Sequence, residues 1–464
     1  MVATASEDLT NNAVAGAGAK DAAVAGSVPV TVVNQAVIAE IADGARINDY
    51  SDLPSGDNAT VAHFDQRVAL LAADDTRVLG VAGALAAGVG VGVDVGVIDK
   101  ETQARLDADL VQARGHVLVE AYAREDITSV SASLGGGGRA GVGGAVSTYT
   151  LTLTTRAAIG AGSRVTADGS IVVAADDATE VDMLAGNAAI GGSAGVGASA
   201  GVVVINKTTE ATVGTGAELT ARGLRGGLAA PTGGFSRDTL AETTSLDPPT
   251  LDVDDEGRPT NRAELEVRAP GSPLPAGADL HPDTSADAVN DPLLGGRRTV
   301  TRGIDPGFSG IAVTATNRDD IESLTVSLGA SGGVSVSVGG GVAVVDADTR
   351  ARIGADAAAT ADNGGAAGAP SLRIAAASDT YRLSAVGSLT AGTVAVTPGA
   401  DVVVITNSTE AVAADGAVLS AEGDIAIVAD AQEDLLALSA GVAVAGTGAV
   451  AGSAAVVVID NATR

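Results

Sequence analysis

The chain is 464 residues long, with 27 Lys and Arg against 57 Asp and Glu, so its formal net charge is −30. Such an acidic chain repels nucleic acid and anionic membrane surfaces, and with no Cys it can build neither a disulfide framework nor a thiolate metal site. Aromatic residues make up 2% and Gly accounts for 62 positions, which excludes a spherical core of large side chains and leaves a thin one of small and β-branched residues.

In chain order, Met1 to Glu7 lacks a basic segment followed by an apolar one, so it does not read as a secretion signal. Asn12 to Ile41 reads as the second half of a repeating module, and the chain stops inside another at Thr463-Arg464. The expectation is a segment of something longer. The anchor of the repeat is Ile205 to Gly214, read as a polar turn leading into a short alternating strand. Its Thr-x-Ala-x-(Ile/Leu/Val) core recurs at Thr102, Thr155, Thr209 and Thr349, with weaker copies at Val37 and Thr409. The spacings 102 − 37 = 65, 155 − 102 = 53, 209 − 155 = 54, 349 − 209 = 140, 409 − 349 = 60 and 463 − 409 = 54 describe a module of 54 residues lengthened by insertions. A module this short buries an apolar face only against its neighbours, as solenoid repeats do.

Within the module, Val89, Val91, Val93, Val95 and Val97 alternate with Gly or Asp, and Val334, Val336 and Val338 alternate with Ser and Gly. Period two predicts strands, with the valines inward and the small residues against another layer. Leu79 to Val97 is long and apolar, but its Gly content, Asp94 and alternation predict a strand rather than a membrane helix. Val165 to Ala175 and Ala421 to Ala429 read as strand pairs whose Asp-Gly or Glu-Gly turn carries a positive-φ Gly. The acidic pairs Asp176-Asp177, Asp319-Asp320 and Glu433-Asp434 read as solvated turns. Insertions fall at one corner, at 48–65, at 362–370 and, largest, at 224–307, which carries Pro231, Pro248, Pro249, Pro259 and most of the other prolines. Aligned insertions on a solenoid form a face for partners, although a Pro- and Asp-rich loop reads equally well as a linker.

Candidate chemistry is sparse. His63, His116 and His281 share no partner spacing, His116 reading as a turn residue on the surface. With the acidic residues placed mainly in turns, no clustered carboxylates of a glycan-cleaving strand face emerge, and a non-catalytic chain is expected. Asp252, Asp254 and Glu256 followed by Gly257 resemble the opening of a calcium loop, with carboxylates at positions one, three and five. Ala263 at position twelve and Pro259 depart from that pattern. Gly135 to Gly138 lacks the strand-turn-helix setting of a phosphate loop. Asn58, Asn206, Asn407 and Asn461 match the glycosylation pattern, the last three at the anchor turn, where turn geometry alone favours Asn.

The anchor Ile205 to Gly214, the Val165 to Ala175 strand pair and the Gly195 to Ile205 run resemble the repeat regions of very large bacterial surface proteins, the leukotoxin-type filamentous adhesins. The resemblance covers the chain outside 224–307. It implies a β-solenoid stalk, export to the cell surface and an adhesive or spacer role without catalysis. The expected architecture is therefore all-β: an elongated, β-helix-like solenoid of ~54-residue modules over 1–223 and 308–464, interrupted by a Pro/Asp-rich insertion at 224–307. The expected function is a non-catalytic stalk or adhesin segment at the extracellular cell surface. Its partners would be adjacent solenoid segments and a host or cell-surface ligand, without nucleic acid or membrane insertion. One alternative is a calcium- or glycan-binding module carried by the insertion. The other is a self-assembling extracellular filament subunit.

Overall fold

A computed structural model of the chain describes residues 1–19, 22–49, 63, 65–238, 299–366 and 368–464. Among them there is no helix, and the strands coil into a parallel β-solenoid. One coil is one module. In the third coil, β8 (Val117–Gly137) runs from a broad base to a narrow tip, β9 (Ala140–Ile159) returns, and the short β10 (Arg164–Ala167) closes the base. The next coil repeats this as β11 (Ile171–Gly191), β12 (Ala194–Val213) and β13 (Glu218–Ala221). Ile171 pairs with Val117, so the offset is 171 − 117 = 54 residues.

Two coils precede these. The first holds β1 (Val2–Ala17), β2 (Ala23–Ser27), β3 (Val30–Ile41) and β4 (Arg46–Ile47); the second holds β5 (Val68–Ala86), β6 (Gly88–Leu106) and β7 (Leu110–Ala113). After β13 an antiparallel ribbon of β14 (Leu228–Asp238) and β15 (Thr299–Phe308) intervenes. The fifth coil is β16 (Gly310–Ser331), β17 (Val334–Ile353) and β18 (Ala358–Ala361). In the last two coils, β19 (Ser371–Ala413), with β20 (Val418–Ala421) at its base, and β21 (Ile425–Thr463) each pass round the tip as one continuous strand. The result is two facing parallel sheets, the outgoing and the returning long strands, over a narrow base sheet ordered β20-β18-β13-β10-β7-β4.

The anchor positions stack directly. Thr102 pairs with Thr155, Thr155 with Thr209, Thr209 with Thr349, Thr349 with Thr409, and Val37 with Thr102. Yet the anchor is no turn. Asn206 and Lys207 lie deep inside the twenty-residue β12, because the alternation that starts at Ala194 continues unbroken through them and carries Lys207 to the inner face. Likewise Asn12 to Ala17 belong to an outgoing strand, stacked on Val81 to Ala86 of β5, and not to a returning one. The three insertions do share one corner, between a base strand and the next outgoing strand.

The core is divided. Near the base, Leu106, Val111, Val117, Ile159 and Val165 lead a large apolar cluster; midway along, Ile98, Ile127, Tyr149, Leu151 and Met183 form a second. Toward the tip the expected orientation reverses. Gly90, Gly92, Asp94 and Gly96 are buried between the sheets while Val89, Val91, Val93, Val95 and Val97 face outward. Ser335 and Ser337 are likewise inward, with Val334 and Val338 exposed. Spacing between the sheets explains the reversal. A Cβ on Gly90 would meet the Leu134 carbonyl oxygen at 2.6 Å, and one on Gly143 the Ala188 oxygen at 2.9 Å, so the gap has no room for valine.

Positive φ occurs at the corner that leads from a returning strand into the base, at Gly44, Gly162, Gly216 and Gly416, with Asp356 (φ 55) in the fifth coil. Gly169 of the Asp-Gly turn is not among the positive-φ residues. It is glycine for space, since a Cβ there would come within 2.6 Å of the His116 ring.

Candidate functional site

Between the two apolar clusters runs a buried polar seam, and the pairs Asp176-Asp177, Asp319-Asp320 and Glu433-Asp434, expected in solvated turns, lie within its strands. The alternation of β11 and β16 turns Asp177 and Asp319 inward, where they are almost wholly shielded from solvent. Lys207 on the opposite sheet lies 2.8 Å from each and donates to the Thr179 hydroxyl at 2.8 Å. Two coils earlier Lys100 repeats this, 3.1 Å from Asp74 and 2.8 Å from Glu125. Thr179 donates to Glu125 at 2.9 Å and joins the two groups. Toward the ends the donors become amides: Gln35 to Glu7 at 2.6 Å, and Asn407 and Asn461 to Glu433, each at 2.7 Å.

The seam has a two-coil rhythm. Register places Glu7, Thr76, Glu125, Thr179, Asp319, Thr380 and Glu433 in one column, acid alternating with threonine. An intervening Thr separates carboxylates by about 9.6 Å, twice the strand spacing, and supplies a hydroxyl donor between them. A buried ion pair is a weak source of net stability, but losing one partner is severe. Burial, helped by the Glu125 carboxylate, outweighs the attraction of Lys207 and pushes Asp177 up to about 7. Burial likewise raises Asp74 to about 7 against the pull of Lys100. Both lysines are held above their ordinary value because the facing carboxylates overcome the cost of burial.

Two further buried polar groups lie tipward. Asp94 accepts from Ser129 and, at 3.0 Å, from Tyr149, and burial raises its pKa. Arg382 occupies the column that holds Ile127, Val181 and Ile321, donates to Ser323 at 2.8 Å, and is lowered to about 10 by burial, opposed by Asp401 and Glu322.

On the outside of the returning sheet, Arg156, Glu210, Arg350 and Glu410 form a column of alternating charge. Arg156 reaches Glu210 at 2.7 Å, and Arg350 lies 3.7 Å from Glu210 and 3.8 Å from Glu410. On the outgoing sheet, the β14-β15 ribbon packs Leu228, Ala230 and Phe308 over Leu118, Val172 and Ala312. Arg302 pairs with Asp176 at 2.9 Å and sits over the Tyr122 ring; Arg373 pairs with Asp305 at 3.2 Å over Phe308. The arms of the insertion are therefore docked β-structure. At the neighbouring corner Asp168 pairs with Arg114, Arg222 and Arg225, each at 3.2 Å. His116 is half-buried and accepts from the Ser170 N–H at 3.0 Å; burial first, then Arg67 and Arg225, keeps its pKa low.

Asp252, Asp254 and Glu256 lie outside the described residues, as do Asn58 and His281. Among the described residues no three His, Asp or Glu side chains are grouped to hold a metal ion. Asn206, Asn407 and Asn461 are strand residues, and Asn407 is buried and donates to Glu433. Sequence reasoning missed the seam, although one signal was present: only three lysines occur, and two of them are 207 − 100 = 107 residues apart, close to two modules. No family model matches the chain, and the comparisons with curated proteins and with solved structures give no match either.

Proposed function

We propose that the chain is a non-catalytic stalk segment of an exported bacterial surface protein, acting as a stiff spacer that carries its insertions on one corner. The observation that supports this reading is the unbroken register of the anchor positions from Val37 to Thr463, with long strands bonded to both neighbouring coils. Backbone hydrogen bonds along the coil axis, backed by a seam of charge-assisted bonds, suit a body that resists deformation. A second reading, that the insertion is a binding element presented by the solenoid, is favoured by the docked β14-β15 ribbon, which ties both ends of the insertion to the outgoing sheet. The calcium motif at Asp252, Asp254 and Glu256 belongs to this second reading.

Limited proteolysis with and without calcium, read by mass spectrometry, separates the two. The spacer reading expects cuts confined to 239–298 under both conditions. Protection of that stretch only with calcium would replace it with the binding reading. Cuts distributed through the coils would refute the spacer.

A further inference from the structure

The tip half of the solenoid is apolar on the outside and small and polar on the inside. The outer face of the returning sheet carries a column of Val89, Val142, Val196, Val336, Val396 and Val450, continued at Val24. Exposure is 40% at Val196, 64% at Val450 and 71% at Val24. Two parallel columns pass through Val202 and Val204, interrupted only by Thr148 and Thr150 in the third coil. Between the tip and these columns no outward-facing side chain of the seven returning strands is charged. The next column, with Asp99, Asn206, Asp346 and Asp460, restores polarity at a sharp boundary.

Seven strands about 4.8 Å apart and about ten residues at 3.3 Å give a face of roughly 1,100 Å². Pairing two such faces would bury about 2,200 Å² in total, above the 1,200–2,000 Å² of a stable standard interface. Exposed apolar patches on soluble monomers seldom exceed a few hundred Å². Val, Ala and Gly columns without aromatics or charges suit the close approach of one sheet to another. A lipid-facing strand surface ordinarily carries aromatic girdles, and this face has none.

We infer that this face pairs with the same face of a second copy of the chain, back to back about a two-fold axis. An antiparallel arrangement lays tip over boundary, so the acidic column of Asp99, Asp346 and Asp460 in one copy faces the uncharged tip of the other and not its own counterpart. This deepens the spacer reading by saying what the spacer lies against; a monomer with intact, protease-resistant coils would refute the pairing alone.

The chain has no cysteine, so a single Ala200→Cys, on the central coil and midway between tip and boundary, serves as a probe at mid-face, where a two-fold axis brings the two copies of one residue together. Under mild oxidation of the full chain we expect a disulfide-linked dimer from Ala200→Cys and none from Thr212→Cys, which faces outward near the base. Sedimentation across micromolar concentrations should show reversible dimerisation, weakened at least tenfold by Val202→Lys with Val342→Lys when circular dichroism shows the fold retained. A species that stays monomeric at 100 μM refutes the proposal. Dimerisation that survives the lysine pair without cross-linking at Ala200→Cys also refutes it, and assigns association to the solenoid ends. Binding of the parent chain, but not the lysine variant, to phosphatidylcholine vesicles would give the face to lipid instead.

Discussion

Replacing Lys207 with Met isolates the seam. The ammonium lies 2.8 Å from Asp177 and from Asp319 and donates to Thr179 at 2.8 Å, with both carboxylates buried. Methionine keeps the stem but leaves two buried acids without their cation, a loss of about 3–5 kcal/mol for a broken buried pair. The loss must depend on pH. Asp177 already sits at about 7 with the lysine present, and without it the carboxyl rises further and takes up a proton. At pH 8 Lys207→Met should therefore cost the full amount, and at pH 5 substantially less, since a neutral Asp177 carboxyl tolerates burial. Chemical denaturation at the two pH values gives the size of the effect. Hydrogen exchange over 171–191, 194–213 and 310–331 shows whether the loss is local, as nearest-neighbour stability requires. A cost below about 1 kcal/mol at pH 8, or an equal cost at both pH values, would refute the account of a charge-paired seam.

The parent chain should itself grow more stable as pH falls from 8 to about 5. Asp74 and Asp177 hold protons near pH 7 when folded but release them near 3.9 when unfolded. The native state thus binds more protons across that window, and unfolding free energy falls as pH rises through it, by on the order of a few kcal/mol. Glu218 and Asp362, both lowered in the fold, act in the opposite sense only below the ordinary carboxylate range, and His116, also lowered, opposes the trend near its ordinary value as one group against two; a denaturation midpoint that rises between pH 5 and 8 would contradict this. Gly143→Val and Gly144→Val test the reversed tip from adjacent residues. An inward Cβ at Gly143 meets the Ala188 oxygen at 2.9 Å, whereas an outward one at Gly144 touches only the Val91 side chain at 3.5 Å. Thermal unfolding should show a loss of about 1–3 kcal/mol for the first and within about 0.5 kcal/mol of no change for the second. Thr209→Val should be neutral or stabilising by about 1 kcal/mol, because the buried Thr209 hydroxyl has no hydrogen-bond partner, and Val37 already fills that position in the first coil; a clear loss in the melting temperature would show the hydroxyl to be needed.

Repeat length and coil register were legible because stacking puts identical residue types on identical positions. The threonines found by counting are the threonines that pair. The corner of the insertions followed for the same reason. What the alternation at Val89 to Val97 left open was its sign. Period two says that valine and glycine face opposite ways, and the rule that apolar residues go inside chose valine; the separation of the sheets, a tertiary quantity, chose glycine. Asp176-Asp177 misled for a related reason. Two adjacent acids look solvated in a linear string, but in a strand they part company, Asp177 to Lys207 inside and Asp176 to Arg302 outside. The arms of the insertion were hidden because Leu228, Ala230 and Phe308 are too few to form a pattern, and gain their meaning only against Leu118 and Val172 on another coil.

The alternation of acid and threonine from Glu7 to Glu433 bears on how such an array is inherited. Recombination between similar modules adds or removes whole coils. Removing one would set threonine against threonine, or carboxylate against carboxylate, and in the outer column Arg156 against Arg350. Removing two restores both columns. Selection on folding should thus pass changes of two coils more readily than changes of one, so that arrays built on this pattern would drift in length by even steps, with about 108 residues as the heritable unit.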